Sequence, residues 1–341
     1  MLTLSLLGLA AFASASPLLT RNNTLAPGHY LAENITSQTF FNNSCTADTV
    51  TIRKEWRSLT DAEKKAFISA EQCLISSPAK TSLQGATTRF DDFQAAHQQG
   101  TNTSYGDIIH YTGQFLAWHR WMVHVHELAL INECNYTGTI PWWDEALDAA
   151  SGDFFQSDMW EDQYFGGNGS YVDSDGNNCV TTGSFANRTE HIGPLEETTD
   201  YCFARNFNQT KGLIWGARSQ TDACYEYSDF TDFYSCMAYA PHIAGHQATG
   251  GIMTDVDSSP GDPVFYLHHN YLDRLYWQWQ QINPTERLHL VGGNTTVTEP
   301  PSGWETMTLE YEMSMFGIAD NVTIATVSNI QGGYLCYEFE Y

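Results

Sequence analysis

Six histidines in two groups of three constrain this chain more than any other feature. His97, His110 and His119 form the first group, and His242, His246 and His269 the second. Three neutral imidazoles are a ligand set that suits copper, zinc, iron or nickel. Two such sets require a fold that carries them inward on packed elements, and the local spacing points to helices. His242 and His246 stand four apart, so on a helix both project to one side. Phe90, Phe93 and His97 fall at i, i+3 and i+7, which puts His97 on an apolar helical face. His268 and His269 compete, because a helix turns about 100° per residue. His269 continues the stripe Phe265, Leu272, Tyr276 and Trp279, and His268 does not.

The helices can be bounded from the sequence. Thr60-Asp61-Ala62-Glu63 is a capping box; Ala66, Ala70, Cys73 and Leu74 follow at helical spacing, and Ser77-Pro78 ends the run. A second helix covers about 88–99. A third runs from near Trp118 to Cys134, with His119, Met122, Val123, His126 and Leu130 on one face. His126 lies two turns from His119, about 10 Å, too far to share an ion. Pro241 starts or kinks a helix that carries His242 and His246 and ends at Gly250-Gly251. Asp262 as N-cap and Pro263 in the first helical position open the last strong helix. Asp273, four residues beyond His269, is placed to orient a ligand imidazole. Residues 151–228, rich in Gly, Asn and Asp, read as a loop-rich stretch with short strands. The alternation from Asn321 to Val327 suggests strands in the tail. The expected fold is mainly α: a four-helix bundle around a two-metal core, with long loops and a few short β-strands. His124 and His126 are decoys beside this core, and the isolated His29, His191 and His289 read as surface or structural.

Charge narrows the partners. With 15 Lys+Arg against 40 Asp+Glu, the net charge is −25, which excludes a nucleic-acid or anionic-membrane partner that needs a basic face. Residues 2–13 form an apolar run ending in the small-residue signature Ala13-Ser14-Ala15. It is too short to span a bilayer, so 1–15 reads as a removed secretory signal and 16–341 as a single catalytic domain. Ten Asn-x-Ser/Thr sequons and 8 cysteines fit a glycosylated, disulfide-bonded secreted protein. Sequence does not choose among the cysteine pairings.

HYTGQFLAWHRWMVHVHE (110–127) resembles the copper-A signature of tyrosinases, catechol oxidases and molluscan haemocyanins, and DPVFYLHHNYLDRLYWQWQ (262–280) their copper-B signature. FDDFQAAHQ (90–98) resembles the segment with the first copper-A histidine, RKEWRSL (53–59) the start of the short fungal-type catalytic domain, and YLCYEFEY (334–341) its closing tyrosine motif. The resemblance spans about 50–341. It implies that His97, His110 and His119 hold one copper, and His242, His246 and His269 the other. It also implies that Phe265 packs between the copper helices, and that Ile243 and Gln247 stand at the substrate entrance. The implied activity is oxidation of o-diphenols to o-quinones, with dioxygen as co-substrate reduced to water.

Three departures from the family pattern matter. Ile108 and Ile109 precede His110 where many relatives carry a cysteine in thioether linkage, so none is expected here. Ile243 follows the first copper-B histidine where efficient monophenol hydroxylases often have Asn. The sequence stops at the tyrosine motif, so no C-terminal plug is expected. The leading expectation is a secreted polyphenol oxidase for small o-diphenols. Its alternatives are a tyrosinase with monophenol hydroxylase activity, an o-aminophenol oxidase, a haemocyanin-like oxygen carrier and, more remotely, a zinc hydrolase.

Overall fold

The computed structural model describes residues 45–340; the expected signal over 1–15, His29 and the sequons at Asn22, Asn34 and Asn42 lie outside them. After strand β1 (Thr51–Arg53) come helices α1 (Asp61–Ser76), α2 (Arg89–Thr101), α3 (Phe115–Cys134) and α4 (Glu145–Ser151). Residues 151–228 hold two short antiparallel ribbons, β2 (Tyr171–Val172) with β3 (Asn178–Cys179) and β4 (Thr189–Glu190) with β5 (Tyr201–Cys202). Helices α5 (Gln209–Trp215), α6 (Arg218–Tyr225), α7 (Phe230–Tyr239), α8 (Pro241–Thr249), α9 (Val264–Ile282) and α10 (Pro284–Arg287) follow. The tail contributes β6 (Glu312–Met313), β7 (Val322–Thr323), α11 (Ile324–Ser328) and β8 (Tyr337–Phe339). The chain is mainly helical, as expected.

Local chemistry sets the helix ends. The capping box at α1 forms: Glu63 N–H donates to the Thr60 hydroxyl, and the Thr60 N–H donates to the Glu63 carboxylate at 2.7 Å. Thr88 and Asp91 make the same reciprocal pair at the start of α2. Asp262 accepts the Val264 N–H at 3.0 Å, so it caps α9 while Pro263 adopts helical angles behind it. Pro241 occupies the first turn of α8. That helix stops at Gly250, whose φ of +69° suits glycine and whose added Cβ would lie 2.1 Å from the Asn206 carbonyl.

Packing follows the apolar stripes. Helix α3 packs on α9 and α11, α1 on α2 and α3, and α8 on α5, α7 and α9. Phe93, Trp118, Met122, Val264 and Leu267 are fully buried between them, each contributing on the order of 1.5–3 kcal/mol by leaving water. The two ends of the described chain meet where β1 pairs in parallel with β8, Thr51 opposite Tyr337. Buried Arg53 braces this corner: it reaches Glu127 on α3 at 2.6 Å and Asn270 on α9 at 2.9 Å, with its guanidinium 3.5 Å from the Tyr337 ring centroid. Disulfides join Cys45–Cys336, Cys73–Cys134, Cys179–Cys202 and Cys224–Cys236.

Three sequence expectations are corrected. Helix α3 begins at Phe115, one turn before Trp118. The loop-rich stretch contains α5 and α6, which are too short to show a clear helical period. The tail alternation yields only β7 before the chain turns into α11, capped by the Thr323 hydroxyl.

Candidate metal centre

The first group converges from two helices and a loop. His97 projects from α2, His119 from α3, and His110 from the segment between them, and all three are buried. Their ring nitrogens lie within 4.8 Å of one another. Each ring is fixed from its far side. His97 Nδ1 meets the Asp257 carbonyl at 3.0 Å, His110 Nδ1 the Asp107 carboxylate at 2.9 Å, and His119 Nδ1 the Phe115 carbonyl at 2.9 Å. An Nδ1–H that donates outward leaves the Nε2 lone pair facing inward.

The second group is built on α8 and α9. His246 Nδ1 meets the Met253 carbonyl at 2.7 Å and His242 Nδ1 the Ala238 carbonyl at 3.3 Å. His246 Nε2 and His269 Nε2 stand 3.3 Å apart, the spacing of two nitrogens that each lie about 2.0–2.1 Å from a shared tetrahedral ion. Nε2 of His97, His119 and His242 is buried without a hydrogen-bond partner. Orphaned, inward-facing imidazole nitrogens fit metal ligation. Burial, reinforced by the neighbouring imidazoles, holds His97, His119, His242, His246 and His269 well below the usual histidine range. They are therefore neutral at pH 7, the form a metal requires.

The two groups face each other. The rings of His119 and His269 stack with centroids 4.2 Å apart, and those of His110 and His242 at 5.7 Å. Phe265 sits between the groups, its centroid 5.4 Å from His97 and 4.2 Å from His269. A cavity of about 200 Å³ opens on His110, His242 and His246, lined also by Tyr111, Tyr239, Ile243, Gln247 and Val256. Ile243 and Gln247 are both part of this lining.

Two expectations about α9 need correction. The turn of the helix lets only one of His268 and His269 continue the stripe, yet both are buried: His268 is fully buried and hydrogen-bonded through Nδ1 to Glu145. The helix is covered on every side, so the one-wet-face assumption behind the stripe argument fails. Burial pushes His268 down to about 3 and Glu145 well above the usual carboxylate range. His269 alone of this pair stacks on the first group, through His119. Asp273 touches no histidine: Arg53, Arg120 and Tyr337 claim its carboxylate. The histidines set aside in the sequence have other partners, His124 lying 3.4 Å from the Glu127 carboxylate. His126 stacks on Tyr266 at 3.5 Å and donates to Glu71, His191 pairs with Asp200, and His289 is exposed.

Sequence reasoning missed Asp107 and Glu145. Asp107 stands three residues before His110, and its carboxylate also accepts the Ile109 and His110 N–H groups, a local turn signal open to a reader of the sequence. Glu145 is brought in only by the tertiary fold.

The common central domain of tyrosinase matches residues 87–282, which contain every histidine of both groups. A tyrosinase-like protein of Diaporthe leptostromiformis is 34% identical over 313 residues, 86% of this chain and 80% of its own. An N-acetyl-6-hydroxytryptophan oxidase of Emericella nidulans is 30% identical, covering 87% of this chain and 94% of its own. A mutant polyphenol oxidase from Thermothelomyces thermophila superposes with a TM-score of 0.76 at 29% identity, over 87% of this chain and 91% of that one. A functional unit of octopus haemocyanin shares the fold at a TM-score of 0.53 and 20% identity, over 86% and 68%. With both histidine groups inside the matched segment and relatives aligned across most of its length, the chain belongs to the tyrosinase family of copper oxidases.

Proposed function

We propose that this chain is a secreted, two-copper polyphenol oxidase that converts small o-diphenols to o-quinones with dioxygen. His97, His110 and His119 would hold one copper, and His242, His246 and His269 the other. Bound copper supplies the electron transfer: two diphenols give four electrons, and one dioxygen becomes two waters. The protein supplies ligand geometry, a bounded cavity and a landing surface.

The lining of the cavity carries the diphenol reading. It opens on three ligand histidines and includes no carboxylate. A monophenol resembles a tyrosine side chain, with a pKa of about 10, and must pass its proton to a positioned base. A diphenol instead presents two adjacent oxygens to a metal pair. Tyr111, Tyr239 and Val256 are 51%, 59% and 41% exposed around the mouth, an apolar rim suited to an aromatic ring. The cavity is smaller than the roughly 300–1,000 Å³ of drug-sized pockets, which favours a single ring. Ile243 packs beside His242 and adds bulk without a polar atom to hold a water.

The extracellular setting is part of the same proposal. Four disulfides suit an oxidising compartment, and no helix among the described residues is long and apolar enough to cross a membrane. Asn102, Asn135, Asn168, Asn187, Asn208, Asn294 and Asn321 are all exposed, as N-glycan acceptors must be.

Oxygen uptake by copper-loaded protein tests this reading, with 4-methylcatechol and p-cresol as a matched pair. Prompt uptake on the catechol with little on the cresol is expected. Uptake on both, with a lag on the cresol, would make it a monophenol hydroxylase as well and remove the barrier assigned to Ile243. Silence on both, in protein holding two coppers, would sink the oxidase reading in favour of an oxygen carrier.

A further inference from the structure

Five lysines occur in this acidic chain, and four of them hold a carboxylate: Lys54 with Glu63, Lys64 with Asp158, Lys65 with Asp61 and Lys80 with Glu133, at 2.6–3.0 Å. Lys211 is different. Its ammonium lies 2.5 Å from the side-chain oxygen of Gln247, a neutral amide, and it pairs with no carboxylate among the described residues. With 40 acidic residues to choose from, a structural lysine on the surface would be expected to find one.

Its place in the fold makes the exception sharper. Lys211 sits in the first turn of α5, its N–H donating to the Asn208 cap at 3.1 Å. A cation there opposes the helix dipole, which favours negative charge at that end. A local rule broken without a compensating ion pair marks a position kept for another purpose. Helix α5 packs directly on α8, and the Gln247 that Lys211 grips follows the ligand His246 and lines the cavity. Gln247 therefore holds a positive charge one hydrogen bond away from a cavity whose lining contains no Asp, Glu, Lys or Arg. An ammonium has three donors. One is given to Gln247, which leaves two for a ligand.

We propose that Lys211, positioned by Gln247, selects diphenols that carry a carboxylate tail on the ring. The ring would enter the cavity between Tyr111, Tyr239 and Val256 while the tail meets the ammonium at the rim. This rests on the oxidase reading of the same site. A charge-assisted hydrogen bond of this kind is worth about tenfold in affinity.

Equilibrium binding of 3-phenylpropanoate and 3-phenylpropylamine, which share a ring and tail length and cannot be oxidised as diphenols, tests the charge preference without turnover. The carboxylate should bind the parent about tenfold more tightly than the amine. That preference should vanish in Lys211→Gln and return in Lys211→Arg, which a merely structural lysine would not produce. In turnover, the ratio of kcat/KM for 3,4-dihydroxyphenylpropanoate to that for 4-methylcatechol should fall in Lys211→Gln through KM. Equal binding of the two probes by the parent, or a preference that survives in Lys211→Gln, overturns the proposal. Failure of the oxidase reading is separate, since it appears as parent protein that does not turn over 4-methylcatechol at all.

Discussion

Five of the six candidate ligand imidazoles have Nδ1 beside a fixed oxygen, and this determines their tautomer more firmly than burial alone. Four of those oxygens are backbone carbonyls. Asp107 is the exception, a carboxylate on His110. A charged acceptor raises the basicity of the opposite nitrogen as well as aiming the ring. Asp107→Ala should therefore lower copper affinity at the first site by about 10–100-fold, with a smaller loss in Asp107→Asn, which keeps an acceptor. Competition with a chelator of known affinity measures this; unchanged affinity in Asp107→Ala would show that the loop positions His110 without it.

At the scale of elements, legibility tracked length and one-sidedness. Helices α1 and α9 announced themselves by capping residues and long apolar stripes; five of the six histidines were readable from their places on helices, whereas His110, in the segment between α2 and α3, was legible only through the family signature around it. Helix α6 buries only Thr221 and Cys224, so its period carries no signal and the Cys224–Cys236 link does part of the work of holding it. Helix α5 is seven residues long with Gly212 at its centre, a helix that stands by packing on α8 rather than by propensity. The misreadings of His268 and Asp273 share one cause. On a helix buried all round, sequence spacing says which residues share a face but not what lies opposite. Opposite Asp273 lie two arginines, and opposite His268 lies Glu145. Neither partner is near in sequence.

The whole molecule is tied through a buried charge network that links β1, α3, α9 and β8. Burial alone would raise the pKa of Glu127, but Arg53 and then His124 overcome it and bring the carboxyl down to about 2. Its unfolded value is near 4.3. The native value is the lower one, so Glu127 contributes stability above about pH 4.5 and loses it as pH falls toward 2. Thermal unfolding across about pH 5 to pH 3 should show a steeper loss in the parent than in Glu127→Gln, which is weaker at neutral pH because Arg53 loses the nearer of its two carboxylate partners. Parallel curves would mean that Glu127 is already neutral in the folded protein.

The most direct measurement is copper content per chain after reconstitution, in the parent and in two single variants. Two bound coppers are expected in the parent, about one in His269→Ala, and two in His268→Ala. A parent that saturates with one copper, or a His268→Ala protein that loses an ion while His269→Ala keeps both, would contradict the assignment of the two histidine triads.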